Sequence, residues 1–289
     1  MKLQNRNALI TGASQGLGRA IAEQFVREGA SIVICARDPQ ALSEARLELQ
    51  KLAGPGQKVL ARPCDVSSEG QVNELVAFAL SELGRVHILV NNAGIYGPMG
   101  PTESVPWSEW TRSIEINLYG VLLPSRALIP QFKKADSGKI IILSGGGATN
   151  PLPNISSYAA SKAAVVRLME TLAEELKPHH VDVNAVAPGA LNTRFLDQVL
   201  AGGKERVGEA FFAKALKQKE SGGVPLDKGA RLCVYLASTQ SDGLTGRLIS
   251  AQWDPWETLH ERKEELLKSD IYTLRRIVPE DRGKRWKDQ

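Results

Sequence analysis

No run of about 18 consecutive apolar residues occurs in this 289-residue chain, so a membrane-spanning helix is not expected. Histidine and cysteine are scarce, at four and three. Cys35, Cys64 and Cys233 are scattered and form no C-x-x-C pair, so neither a metal cluster nor a redox motif is expected. That usage fits a reducing, cytoplasmic setting. Met1 to Asn7 leads straight into an apolar stretch, without the long apolar core of a secretory signal. Net charge is small at +4, which gives no reason to invoke nucleic acid. Repeats and low-complexity segments are absent. What is present is a 43% hydrophobic content, enough for one large α/β domain or two small ones.

The apolar runs alternate with helical patterns. Ala8-Leu9-Ile10 reads as a buried strand, followed by Thr11-Gly12-Ala13-Ser14-Gln15-Gly16-Leu17-Gly18 and a helix to Arg27. Glycines in such a turn let the backbone approach a pyrophosphate, whose charge the helix N-terminus favours. A glycine-rich turn can also be a tight connection and nothing more. Ser31 to Cys35 gives a second strand, and the βαβ unit then repeats through strands near Lys58–Arg62 and His87–Val90. Strands alternating with helices imply a doubly wound parallel sheet of the Rossmann-like α/β class. Where an acid would hold the ribose of NAD, the second strand ends in Ala36 and Arg37. A guanidinium there suits the 2′-phosphate of NADP. Asp38 keeps NAD open.

Tyr158 and Lys162 stand four positions apart at the start of a further helical pattern, which puts both on one helix face. A free tyrosine has a pKa of about 10, and bringing it near neutrality takes about 4 kcal/mol. One cation about 4 Å away, at an effective dielectric of about 20, supplies about that much. The pair can therefore form a general acid/base working near pH 7. The same spacing also occurs on ordinary solvated helices.

The glycine turn, Asp65, Asn91-Asn92-Ala93-Gly94, Asn117 and the Tyr158/Lys162 pair follow one another in an order that changes those odds. From roughly residue 3 to 250 the chain resembles the classical short-chain dehydrogenases/reductases. The resemblance implies a single Rossmann-like domain that transfers hydride between a nicotinamide cofactor and a small-molecule alcohol or carbonyl, in a homodimer or homotetramer. It implies cofactor contacts from Gly12, Ser14, Gln15, Gly16, Leu17, Gly18, Arg37, Asp65, Val66, Asn91, Ala93, Gly94, Tyr158, Lys162, Pro188, Gly189 and Thr193. It gives Tyr158 the proton transfer, Lys162 the lowering of its pKa, and Asn117 a water in the proton relay. One departure matters. The family's catalytic serine lies thirteen residues before the tyrosine, where this chain has Gly145 in Ser144-Gly145-Gly146-Gly147. The expectation is that the flexible glycine loop shifts by one residue and brings Ser144 to the substrate oxygen, with Ser156 and Ser157 as fallback donors. A non-catalytic dinucleotide-binding regulator is the alternative that Gly145 keeps open.

Two segments lie outside the motifs. Phe195 to Pro225, with Gly202-Gly203 and Gly222-Gly223, reads as a movable lid over the substrate pocket. Residues 251–289 form a C-terminal extension with a charged helical pattern from Glu257 to Lys268 and a basic end of Arg275, Arg276, Arg282, Lys284, Arg285 and Lys287. Trp253 and Trp256 are expected to be buried, with the extension closing over a substrate pocket, its own or that of a neighbouring subunit, and its basic end free to grip phosphate or acidic sugar groups.

Overall fold

A computed structural model describes residues 1–286; Lys287, counted above in the basic end, lies outside the described residues. The apolar runs become seven strands: β1 (Asn7–Thr11), β2 (Ser31–Ala36), β3 (Val59–Pro63), β4 (Ile88–Asn91), β5 (Gly138–Leu143), β6 (Val181–Ala187) and β7 (Leu248–Ser250). They pair in the order β3-β2-β1-β4-β5-β6-β7, every pairing parallel. Strands buried on both faces read as continuous apolar runs, as β5 does with all six residues buried.

Helices cover both faces. On one, Ile10, Ile34, Val90 and Ile141 pack with Ile21 and Phe25 of α1 (Gly16–Arg27), Leu42 and Leu49 of α2 (Pro39–Gln50), and residues of a later helix over 226–237. On the other, Leu9, Val33, Leu89, Ile140 and Ile142 meet α3 (Glu69–Leu83), α5 (Gly120–Lys134) and α6 (Ser156–Leu176). The helix starts and stops are chemical. Asp38 accepts from the backbone N–H groups of Gln40 and Ala41 to cap α2, and Ser68 caps α3. A short α4 (Trp107–Ile114) runs into α5 through a π-helical turn, Glu115–Tyr119, closed by Gly120 N–H donating to the Glu115 carbonyl. Asn117 sits in that turn. Chain order reverses between β1 and β4, and the crevice outside the carboxyl ends of the strands opens there.

Two further helices, α7 (Arg194–Val207) and α8 (Glu209–Ser221), form the segment expected as a lid, and α9 (Leu226–Ala237) follows. Among the described residues no helix is long and apolar enough to cross a membrane.

The extension departs from expectation. Among its described residues only Lys263–Leu267 is α-helical, here α10; Trp256–Arg262 and Pro279–Arg282 are 3-10 turns. Trp256 and Leu259, three apart, share a face of the first 3-10 turn and join Leu266 in the core cluster of β1 and α1. The chain then crosses the sheet edge, where Leu248 N–H donates to the Tyr272 carbonyl at 2.8 Å and covers the unpaired side of β7. Buried Arg247 donates to the Ile271 and Leu266 carbonyls, and Glu170 accepts from Leu274 N–H at 2.6 Å. Trp253 is 79% exposed rather than buried. Within the basic end, Arg275 is spent on Asp270 and Asp281, while Arg276, Arg282, Lys284 and Arg285 are exposed. The extension therefore buttresses the sheet. Leu266→Ala should cost about 2–5 kcal/mol of stability by leaving a cavity, read as a lower urea midpoint, with cofactor affinity unchanged.

Candidate active site

The crevice holds a cavity of about 1110 Å³. Of the catalytic and cofactor residues proposed from the sequence, all line it except Asn91 and Asn117, and the fallback donors Ser156 and Ser157 do not line it either. Asn91 ends β4 with its side chain turned away, donating to Ser125 Oγ at 3.0 Å in the buried layer beneath α5. Its neighbour Asn92 lines the cavity instead. The Asn92 side-chain amide donates to the carbonyls of Thr11 and Gly12 at 3.0 and 2.9 Å. The Thr11 hydroxyl accepts in return from the backbone of Asn92 and Ala93.

This clamp explains the glycines. Gly12 has φ +64, and a Cβ there would stand 2.7 Å from Ala93 Cα; a Cβ at Gly18 would overlap the Gly12 carbonyl and the Asn92 amide. The turn is a cradle only glycine can form. Beside it, Gln15 gives α1 no side-chain cap, and the first turn of α1 carries no carboxylate. Its amide N–H groups and dipole are left for an anion. The residues fit a dinucleotide: a pyrophosphate at this helix end, Arg37 exposed on one wall, and Thr193 closing from the other, its Cγ2 3.6 Å from where a Gly16 Cβ would lie. Asp65 and Val66 line the same end. Burial works against the Asp65 carboxylate, but bonds from Ser67 and Arg112 prevail and hold its pKa below the usual range. Pro188 and Gly189, after β6, line the stretch toward Thr193.

At the cavity floor, α6 places Tyr158 and Lys162, 7% and 5% exposed. The Lys162 ammonium donates to the Leu143 carbonyl at 2.7 Å and lies 5.7 Å from the centre of the Tyr158 ring. Burial pulls the Lys162 pKa down to about 8. Tyr158 does not show the lowered pKa expected of it: burial, with a contribution from Tyr96, pushes its pKa well above the ordinary value. The reason is geometric. The cation is anchored on a carbonyl, and desolvation is unopposed at the phenol.

Nor does the glycine loop shift by one residue. Ser144 N–H continues the ladder to the Val186 carbonyl at 2.8 Å, and Gly145 is extended at φ −172, ψ 174, so the two face opposite ways. It is Gly145 that stands against the phenol: a Cβ there would overlap Tyr158 Oη. Ser144 lines the cavity, but its hydroxyl is buried and bonds no protein group, the Tyr158 phenol included. Asn117 reaches the site only indirectly. Its side chain exchanges bonds with the Ile95 backbone at 2.8 and 2.9 Å and donates to Ser161 Oγ at 3.0 Å, while Ser161 donates to the Tyr158 carbonyl.

Sequence reasoning missed the aromatic neighbours. Tyr96 meets Tyr158 edge-on with centroids 4.6 Å apart, and Phe195 of α7 lies 4.7 Å from Tyr96. Around them Met99, Leu152, Leu196, Val199 and Phe211 form an apolar compartment under α7 and α8. Only the position of Tyr96, two residues past the Asn91–Gly94 motif, could have signalled it. Of the extension, Gln252, Trp253 and Asp254 line the cavity, and beyond Asp254 no described residue does.

Comparison with known proteins agrees with this geometry. The family model described as short chain dehydrogenase matches residues 6–202. The chain is 36% identical over 200 residues to the 7alpha-hydroxysteroid dehydrogenase of Escherichia coli K12, covering 69% of this chain and 76% of that protein. A solved NAD+-bound xylitol dehydrogenase is similar with a TM-score of 0.79 at 27% identity, covering 86% of this chain and 98% of that one. A 7α-hydroxysteroid dehydrogenase complexed with NADH and 7-oxo glycochenodeoxycholic acid gives 0.76 at 32% identity, covering 86% and 93%.

The depressed Lys162 pKa has a stability consequence. Between about 8 in the fold and 10.5 in the unfolded chain, the unfolded state holds the extra proton, so the penalty for burying the ammonium is full below pH 8 and fades as pH rises through this window. Lys162→Met should therefore melt higher than the parent at pH 7 without cofactor. The gain should shrink above pH 8, as measured by melting curves across that range.

Proposed function

We infer the activity from one premise: the chain belongs to the short-chain dehydrogenase family. It is an oxidoreductase of the kind that uses a nicotinamide dinucleotide. We read it further as an enzyme acting on a carbonyl or secondary alcohol with an apolar body, with Tyr158 as general acid/base. The observation that carries this reading is the burial of Tyr158 beside Lys162 on the floor of a cavity that begins at the glycine cradle. When bound, the nicotinamide supplies or accepts the hydride. The rest falls to the chain. The phenol starts protonated at neutral pH, so its proton is in place for a carbonyl oxygen, and the raised pKa has to fall for that proton to leave. As that proton leaves, the Lys162 ammonium on the same helix face stabilises the phenolate. Asn117 holds this end of α6 through Ser161, and the compartment of Met99, Leu152, Leu196 and Val199 excludes water from the reacting oxygen.

NADP is the preferred cofactor in this reading. Arg37 is exposed on the cavity wall, while one oxygen of Asp38 is occupied in capping α2. That leaves a guanidinium as the free ligand for a 2′-phosphate. A reducing cytoplasm suits the three free cysteines, and a homodimer or homotetramer acting on a small molecule completes the proposal.

Two experiments test it. A screen of 7-oxo glycochenodeoxycholic acid, acetophenone and xylitol with both cofactors should find turnover, and Tyr158→Phe should bind NADPH normally yet lose nearly all of it. Activity retained in Tyr158→Phe would refute the role. A parent that binds cofactor and turns over none of the probes would favour a dinucleotide-binding regulator. For the cofactor, NADPH should bind more tightly than NADH, and Arg37→Ala should narrow the gap by about tenfold or more, the worth of a charge-assisted bond. Equal parent affinities would overturn the preference.

A further inference from the structure

A reacting oxygen that gathers negative charge needs more than one donor, and this site lacks the serine that would supply the second. The hydroxyls around Tyr158 can be taken in turn. Ser144 lines the cavity, but it faces the other way from Gly145 and its hydroxyl is buried without bonding the Tyr158 phenol. Ser156 accepts from the Trp110 indole at 3.1 Å and does not line the cavity. Ser157 is buried behind the wall, 2.9 Å from where a Gly97 Cβ would lie. Asn150 lines the cavity but bonds its amide to Thr149. Tyr96 remains. It lines the cavity, its ring touches Tyr158 edge-on, and among the described residues no protein group bonds either phenol oxygen. Phe195 holds the Tyr96 ring from its other side.

We propose that Tyr96 is the second hydrogen-bond donor to the reacting oxygen, so that a tyrosine pair, Tyr96 and Tyr158, takes the place of a serine and a tyrosine. The proposal rests on the oxidoreductase reading. In the reductive direction, the carbonyl carbon gains hydride from the reduced nicotinamide, which is thereby oxidised. The carbonyl π pair moves to the oxygen, which takes the Tyr158 proton; Tyr96 donates a hydrogen bond throughout and keeps its own proton. Gly145 is the complementary change. With no side chain there, Tyr158 settles against the loop, and the oxygen is approached from the Tyr96 side.

Tyr96→Phe removes one hydroxyl and keeps the ring between Tyr158 and Phe195. In the full-length protein, on the probe of the screen turned over fastest, kcat should fall about 100-fold, the usual loss for one such donor. KM should stay within about threefold, since the bond strengthens as charge develops. Cofactor affinity and melting temperature should not move. A second readout needs no turnover: the infrared C=O stretch of ¹³C-labelled acetophenone bound with NADP⁺ should lie at lower frequency in the parent than in Tyr96→Phe. A kcat within about threefold of the parent, or a loss carried by KM or melting temperature with an unchanged stretch, overturns the proposal. If the parent turns over no probe, the oxidoreductase reading fails and Tyr96's role fails with it. An active parent with an unaffected Tyr96→Phe sinks the role of Tyr96 alone.

Discussion

The site depends on one side chain that does no chemistry. The Asn92 amide is held between the Thr11 and Gly12 carbonyls and fixes the glycine turn against the end of β4, at the point where the sheet reverses its order. From that splice a covalent and hydrogen-bonded path runs to the reacting end. Three residues on, the backbone of Ile95 exchanges bonds with Asn117; Asn117 donates to Ser161, and Ser161 to the Tyr158 carbonyl. Cradle and phenol are thus positioned by the same buried polar network, each member of which is costly to leave unpaired. The π-helical turn belongs to this path: its extra residue rotates Asn117 inward to meet Ile95, where its Oδ1 lies 3.2 Å from a Gly94 Cβ position.

Much of this was legible in the sequence because the relevant rules are local. An apolar run such as Ser31–Cys35 reads as a buried strand, and glycine spacing marks where a backbone must approach something closely. What was not legible depended on direction. Asn91 and Asn92 are neighbours, yet the strand's alternation sends the first under α5 and the second to the cavity. The same alternation governs Ser144 and Gly145, and a flexible glycine loop offered a shift that the ladder to Val186 forbids. The extension misled for another reason. Its tryptophans and leucines signalled burial but not which surface they would bury, and the unpaired edge of β7 competed with the cavity for them and won.

The electrostatics of the floor follow from burial more than from pairing. Desolvation moves Tyr158 and Lys162 in opposite directions, each toward its neutral form, and the ammonium relieves part of its cost on the Leu143 carbonyl. Proximity along a helix face is therefore not sufficient to acidify the phenol. A cation that spends its hydrogen bond on backbone acts on the tyrosine only through space, at a separation set by the helix. The floor is tensioned rather than relaxed: it stores the cost of a buried ammonium and an unengaged phenol, which a polar ligand can offset on binding.

That tension also bears on the missing serine. A hydroxyl at position 145 would compete for the space Tyr158 now fills, so the glycine is not a simple deletion of a donor; it permits a different seating of the phenol. Seated there, Tyr158 turns one edge to Tyr96, and the aromatic contact with Phe195 ties both rings to the first turn of α7. An aromatic donor differs from a serine in kind. Its hydroxyl is held at the end of a rigid ring with two rotatable bonds, so its position is decided by packing of the ring rather than by the loop that carries it. The placement of the second donor thus passes from the glycine loop after β5 to the compartment under α7 and α8. In the proposed reaction, that couples the polar end of the site to the apolar surfaces of Met99, Leu152, Leu196 and Val199.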